Sequence, residues 1–169
     1  MQKNVGFVSF RIAGTDGVSL EIKKWADIFE RNNCSCYYFA EELDTPEERS
    51  YYSKFSYFKN PAIAEINDRI YGTSKREPEV TAKIHHYRKR IKEELYEFVD
   101  KFNIQILVPQ NALTIPLNIS LALAFEPGGG MSRGTAKTSV EGLGHGGWVR
   151  RDGQLQRVPL AWKTRKIPF

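Results

Sequence analysis

Only two of the 169 residues are cysteine, Cys34 and Cys36. They stand two apart, so on a strand they share a face and make a poor disulfide pair. No histidine lies near them, so they are a weak metal site, and the favoured reading is two reduced, half-buried strand residues. Long apolar runs are also missing: none reaches the roughly 18 residues that a membrane-spanning helix needs. After Met1-Gln2-Lys3-Asn4, only Val5 to Phe10 precede Arg11. That run is too short for the core of a signal peptide and reads as a strand. A cytoplasmic protein with no membrane span is expected.

What is present suits one folded domain: 41% of residues are hydrophobic and 27% charged, ordinary values for a globular chain long enough to bury a core. The charge is unevenly placed. Residues 1–124 hold 17 Lys+Arg and 17 Asp+Glu, whereas residues 125–169 hold 8 and 3. The whole excess of +5 therefore sits in the last 45 residues, together with nine of the thirteen glycines. A pI near 9.2 thus describes a tail, and a basic tail alone does not make nucleic acid the expected partner.

The apolar pattern predicts an opening strand at Val5–Phe10, a turn over residues 11–17, and a helix on Val18, Ile22, Trp25, Ala26 and Phe29 that stops at Asn32-Asn33. Cys34–Ala40 reads as a second strand. Such strand–turn–helix–strand order opens a parallel α/β sheet. Residues 41–48 read as an acidic, solvated loop. The aromatics Tyr51, Tyr52, Phe55, Tyr57 and Phe58 read as an insertion packed on the sheet, in preference to a platform for sugar rings. Asn60-Pro61 opens a helix as N-cap and first-turn proline, ending near Gly72. Val80, Ile84, Tyr87, Ile91, Leu95, Phe98 and Phe102 recur at steps of three and four, one face of a six-turn helix. His85 and His86 lie off that face and read as solvated. Ile104–Pro109 is a third strand, and 114–124 an apolar helix with Pro116 in its first turn. Beyond residue 125 no period persists, apart from a hairpin signal at Trp148 to Val158 turning on Asp152-Gly153.

In an open parallel sheet, ligands bind beyond the carboxyl ends of the strands. The turn Gly14-Thr15-Asp16-Gly17 is expected there, where glycines admit close approach to a phosphate and the following helix offers free N–H groups. Ser19 is placed to cap that helix or to donate to a ligand. Gln110-Asn111 ends the third strand at the same edge, and Asn118, one turn into the next helix, is a further candidate. The alternatives are that Asn111 closes a turn and that Asn118 satisfies backbone groups. No metal-ligand spacing appears, and His145 has no readable neighbours.

Arg11-x-Ala13-Gly14-Thr15-Asp16-Gly17-Val18-Ser19-Leu20-Glu21, followed by Lys24-Trp25, resembles the opening of family-4 retaining glycosyltransferases with the GT-B fold. Val108-Pro109-Gln110-Asn111-Ala112-Leu113-x-x-Pro116-Leu117-Asn118 is similar to a later segment of that family. The resemblance spans roughly residues 4–124. It implies a Rossmann-like, acceptor-side domain at 1–124, with 125–169 an irregular Gly/Arg-rich tail. It further implies transfer of a sugar from a nucleotide-sugar donor to an acceptor hydroxyl, with retention and without a metal or other cofactor. Gly14 and Gly17 would match the loop that approaches the donor phosphates, and Asp16, Glu21 and Asn111 polar residues around the cleft. The family's donor-binding domain, with its paired glutamates, has no counterpart in the sequence. The expectation is therefore an inactive half-enzyme from a truncated gene or a reading-frame shift near codon 125, with no catalytic residue assignable. The alternative is a non-catalytic α/β module whose basic tail binds an acidic partner or RNA.

Overall fold

The structure is a computed structural model that describes residues 2–115, 117–125, 146–151 and 154–159. Four parallel strands form its centre: β1 (Lys3–Val8), β3 (Cys34–Ala40), β5 (Ser50–Tyr52) and β6 (Ile106–Pro109). Their spatial order is β5-β3-β1-β6. The first strand of the chain is thus central, and the chain reverses its direction of growth between β1 and β6, as in Rossmann-like sheets. The three strands expected from the sequence are all here and all parallel, with the third beginning at Ile106.

Both faces of the sheet are covered, so its strands are apolar on both sides. Val5 and Phe7 of β1, with Cys36, Tyr38 and Ala40 of β3, pack under Ile22 and Ala26 of helix α1 (Gly17–Arg31). Val8 and Phe39 face the other way, toward Ile91, Leu95, Phe98 and Val99 of helix α3 (Pro78–Lys101). Helix α2 (Pro61–Ile70) starts at Asn60, whose side chain accepts from Ala62 N, with Pro61 in the first turn. Ile66 of α2 meets Val80 and Ile84 of α3 in a smaller cluster. The two cysteines are free; Cys36 is fully buried and Cys34 partly so. Burial pushes the Cys36 thiol up to about 12, which makes it inert at neutral pH.

Three elements differ from the sequence reading. Segment 41–59 is more than an insertion, because its Ser50–Tyr52 joins the sheet as β5. Tyr51, Phe55, Tyr57 and Phe58 do pack on the core, Tyr51 stacking on Phe39 at 5.4 Å and Phe58 meeting Phe10 edge-on at 5.8 Å, whereas Tyr52, expected to pack with them, is exposed. Residues expected to be turn and loop form a two-residue parallel pair, β2 (Arg11–Ile12) with β4 (Glu42–Leu43). The last apolar helix, α4, spans only Ile119–Ala124. It starts late because Asn118 is its N-cap, accepting from Leu121 N, and a cap residue has extended backbone.

The expected hairpin exists as β7 (Gly146–Arg151) and β8 (Gln154–Pro159). It pairs antiparallel with β6, through Ile106↔Val149 and Leu107↔Trp148, and so extends the sheet to six strands. The expectation that the tail packs poorly falls on residues 126–145, 152–153 and 160–169, with His145 among them, outside the described residues. Among the described residues no helix is long and apolar enough to cross a membrane.

Candidate functional site

The reversal point lies between β1 and β6, and both chain exits leave from the carboxyl edge. Gln110 N donates to Val8 O at 2.8 Å, and the buried Ser9 donates through Oγ to Gln110 O at 3.3 Å. These bonds tie the two exits together. The glycine turn and Asn111 therefore follow strands that end on one edge of the sheet, as the sequence placed them.

The turn is built around Asp16. Its carboxylate caps α1 by accepting from Val18 N at 3.0 Å and Ser19 N at 3.1 Å. It also accepts from Ser19 Oγ at 2.7 Å and from Arg11 Nη1 at 3.0 Å. Partial burial raises the Asp16 pKa, but these bonds outweigh it and hold the carboxyl below its usual range. Asp16, not Ser19, is thus the helix cap. Ser19 is buried, and its hydroxyl is bonded to Asp16 and to the backbone of Ala13. Gly14 has φ +73, a left-handed conformation that favours glycine. A methyl at Gly17 would meet nothing within 4 Å, and one at Gly14 would touch only Arg11, at 3.2 Å to Nη2. Gly14, Thr15 and Gly17 are exposed, and Asp16 is half-buried.

Three charged residues that the sequence did not single out surround this turn. Arg11 bridges Asp16 and Glu42, the latter at 2.6 Å. The β2–β4 pair carries Glu42 and brings Asp44 alongside, where Asp44 Oδ2 accepts from Gly14 N at 2.6 Å. Strands of two residues leave no periodic trace, so reading 41–48 as solvated loop missed the pair.

The other candidates separate. Asn111 is a turn residue with φ +59, and its carbonyl accepts from Thr114 N and Ile115 N. Glu21 lies on exposed α1 surface, accepting from Trp25 Nε1 at 2.9 Å. Asn118 is fully buried; its Nδ2 donates to Phe55 O at 2.8 Å and Ser56 O at 3.0 Å. It fastens the loop after β5 to α4, which is the backbone-satisfying alternative. His85 and His86 are exposed on α3. No group of three or more His, Cys, Asp or Glu among the described residues is placed to hold a metal ion.

A second polar cluster stands behind β5. Ser53, fully buried, donates to Glu94 Oε2 at 2.6 Å. Tyr51 Oη donates to Glu97 Oε2 at 2.5 Å, and burial together with that bond raises the phenol's pKa. Burial raises the Glu94 pKa, helped by Glu97 and Glu41 and opposed by Ser53 and Arg90. A carboxyl whose folded pKa exceeds its unfolded one destabilises the fold most above the folded pKa, and the penalty fades as pH falls toward the unfolded value. Glu94→Gln, which keeps an acceptor for Ser53, is therefore expected to melt higher than the wild type at pH 7. The margin should close as pH approaches the ordinary glutamate value of 4.5. Paired thermal melts across pH check this, and a margin that widens on acidification would reverse the assignment.

No family model matches the chain, and comparison with curated proteins and with solved structures yields no match.

Proposed function

We propose that the chain is the acceptor-side domain of a retaining glycosyltransferase, moving a sugar from a nucleotide-sugar donor to an acceptor hydroxyl. The observation that carries this reading is the exposed glycine turn at residues 14–17, which hands directly to α1 beyond the carboxyl ends of β1 and β6. A turn so placed suits the approach of a donor diphosphate, because glycine lets phosphate oxygens reach the backbone. In this reading Gly14 and Gly17 contact the donor phosphates. Asp16 and Ser19 shape the turn, and Asn111 borders the cleft.

In the family that the sequence resembles, a second domain grips the nucleotide sugar. Binding without turnover is therefore the expected signal of these 169 residues. Calorimetric titration of the chain with sugar nucleotides should show weak binding, lost in Gly14→Val, where a β-branched residue would be forced to positive φ. Equal binding by the wild type and Gly14→Val removes the turn from the site. Salt-sensitive RNA binding that disappears on deleting residues 125–169, with no sugar-nucleotide binding, supports the non-catalytic module instead.

A further inference from the structure

We propose that the basic stretch of α3 over residues 83–92, with the loop that follows β5, is a docking surface for an anionic lipid bilayer. The inference stands apart from the glycosyltransferase reading and does not need it. Residues 1–124 are balanced, with 17 Lys+Arg against 17 Asp+Glu. Seven of those cations fall within residues 53–59 and 83–92, two segments that contain no Asp or Glu. A neutral domain has thus gathered positive charge in two places.

The fold joins the two places into one surface. The rings of Phe55 and Tyr87 meet at 4.9 Å. Lys54 Nζ lies 5.6 Å from the centre of the Phe55 ring, and the Arg90 guanidinium lies 5.4 Å from it. A ring steadies such cations but has no net charge, so the surface stays positive. Lys54, His85, His86, Lys89 and Arg90 are all exposed. The nearby carboxylates are drawn inward or lie at the margins. Glu94 faces Arg90 but accepts from the buried Ser53, and Glu41 accepts from Tyr57 N and Asn60 Nδ2. Lys83 holds Glu65 and Glu79 at one end. Glu93 stands 4.0 Å from Lys89 at the other, a loose contact between side chains 80% and 60% exposed.

The form of the surface selects the partner. It is the convex outer side of a helix, which meets a plane more readily than it follows a strand. Binding of single-stranded nucleic acid draws on a groove and on exposed rings that stack with bases. Here Phe55 and Tyr87 are half-buried, and none of the exposed large apolar side chains, Leu20, Ile28, Tyr52, Tyr71 and Ile115, belongs to the surface. Adsorption on anionic headgroups needs only clustered Lys and Arg. It involves no insertion and weakens as salt rises.

Co-sedimentation of the full chain with lipid vesicles tests this. Vesicles of phosphatidylcholine and phosphatidylserine in a three-to-one ratio should bind it, and vesicles of phosphatidylcholine alone should not. The double variant Lys54→Gln/Lys89→Gln should lower the partition coefficient about 25-fold, or about five-fold for each lysine. Lys23→Gln/Lys24→Gln removes the same charge from exposed positions on α1, across the sheet, and should change it far less. All four lysines are exposed, and circular dichroism verifies that both variants fold. Equal losses in the two variants would show that net charge or residues 125–169 drive binding, and would overturn the proposal. Absence of binding by the wild type would overturn it too. Tighter binding to a uridine oligonucleotide than to the vesicles, lost in Lys54→Gln/Lys89→Gln, would reassign the surface to nucleic acid.

Discussion

Asn118→Ala is expected to lower the unfolding free energy by about 2–4 kcal/mol, with little direct effect on ligand binding. The amide does two things at once. Its Oδ1 caps α4 at Leu121 N, and its Nδ2 serves the carbonyls of Phe55 and Ser56. Loss of a cap costs about 1 kcal/mol, and a buried carbonyl left without a donor costs about 1–3 kcal/mol. The residue has no solvent exposure, so water cannot replace the lost bonds. Asn118→Asp keeps the cap acceptor but presents an oxygen to the two carbonyls, and should be no better than alanine. Urea denaturation followed by circular dichroism measures both. A loss below 1 kcal/mol for alanine, combined with weakened ligand binding, would return Asn118 to the crevice.

Phe98→Ala should cost about 3–5 kcal/mol, the range for truncating a fully buried aromatic. Phe98 meets the rings of Phe39 at 5.5 Å and Phe102 at 5.6 Å. It also lies directly over Gly6 of β1. A methyl group built on Gly6 would come within 2.7 Å of Phe98 Cε1 and 3.1 Å of Leu107 Cδ2. Gly6→Ala alone should therefore destabilise by about 1–3 kcal/mol through overpacking. In the Phe98→Ala background the ring is gone, and the same methyl enters vacated space. The double variant is expected to be clearly more stable than the sum of the two single losses predicts. Strict additivity in a denaturation cycle would show that Gly6 is not placed by the Phe98 ring.

The elements legible in the sequence are those whose signal is local and repeated. Val80 to Phe102 marks one helix face at steps of three and four, and the structure buries that face. The three strand runs carry apolar residues on both faces because α1 covers one side of the sheet and α3 the other. Asn60-Pro61 opened α2 as capping chemistry requires. The glycine turn was legible too, since positive φ at residue 14 favours glycine.

Tertiary structure alone decided the rest. β5 is three residues and β2 and β4 two each, too short to show a period, and they are strands only because a neighbour pairs with them. Asn118 reads equally well as a crevice amide or as a residue that satisfies backbone groups. The choice fell to the second because Phe55 and Ser56, more than sixty residues earlier, present their carbonyls to it. Ser19 reads as the cap of α1, but Asp16 took the place because its carboxylate reaches two N–H groups while Arg11 offsets its charge. That Gly14 would carry a donor toward the carboxyl edge follows from sequence. That the donor faces the carboxylate of Asp44, thirty residues away, follows from the pairing of β2 with β4, because hydrogen bonds between distant segments leave no imprint on local residue order.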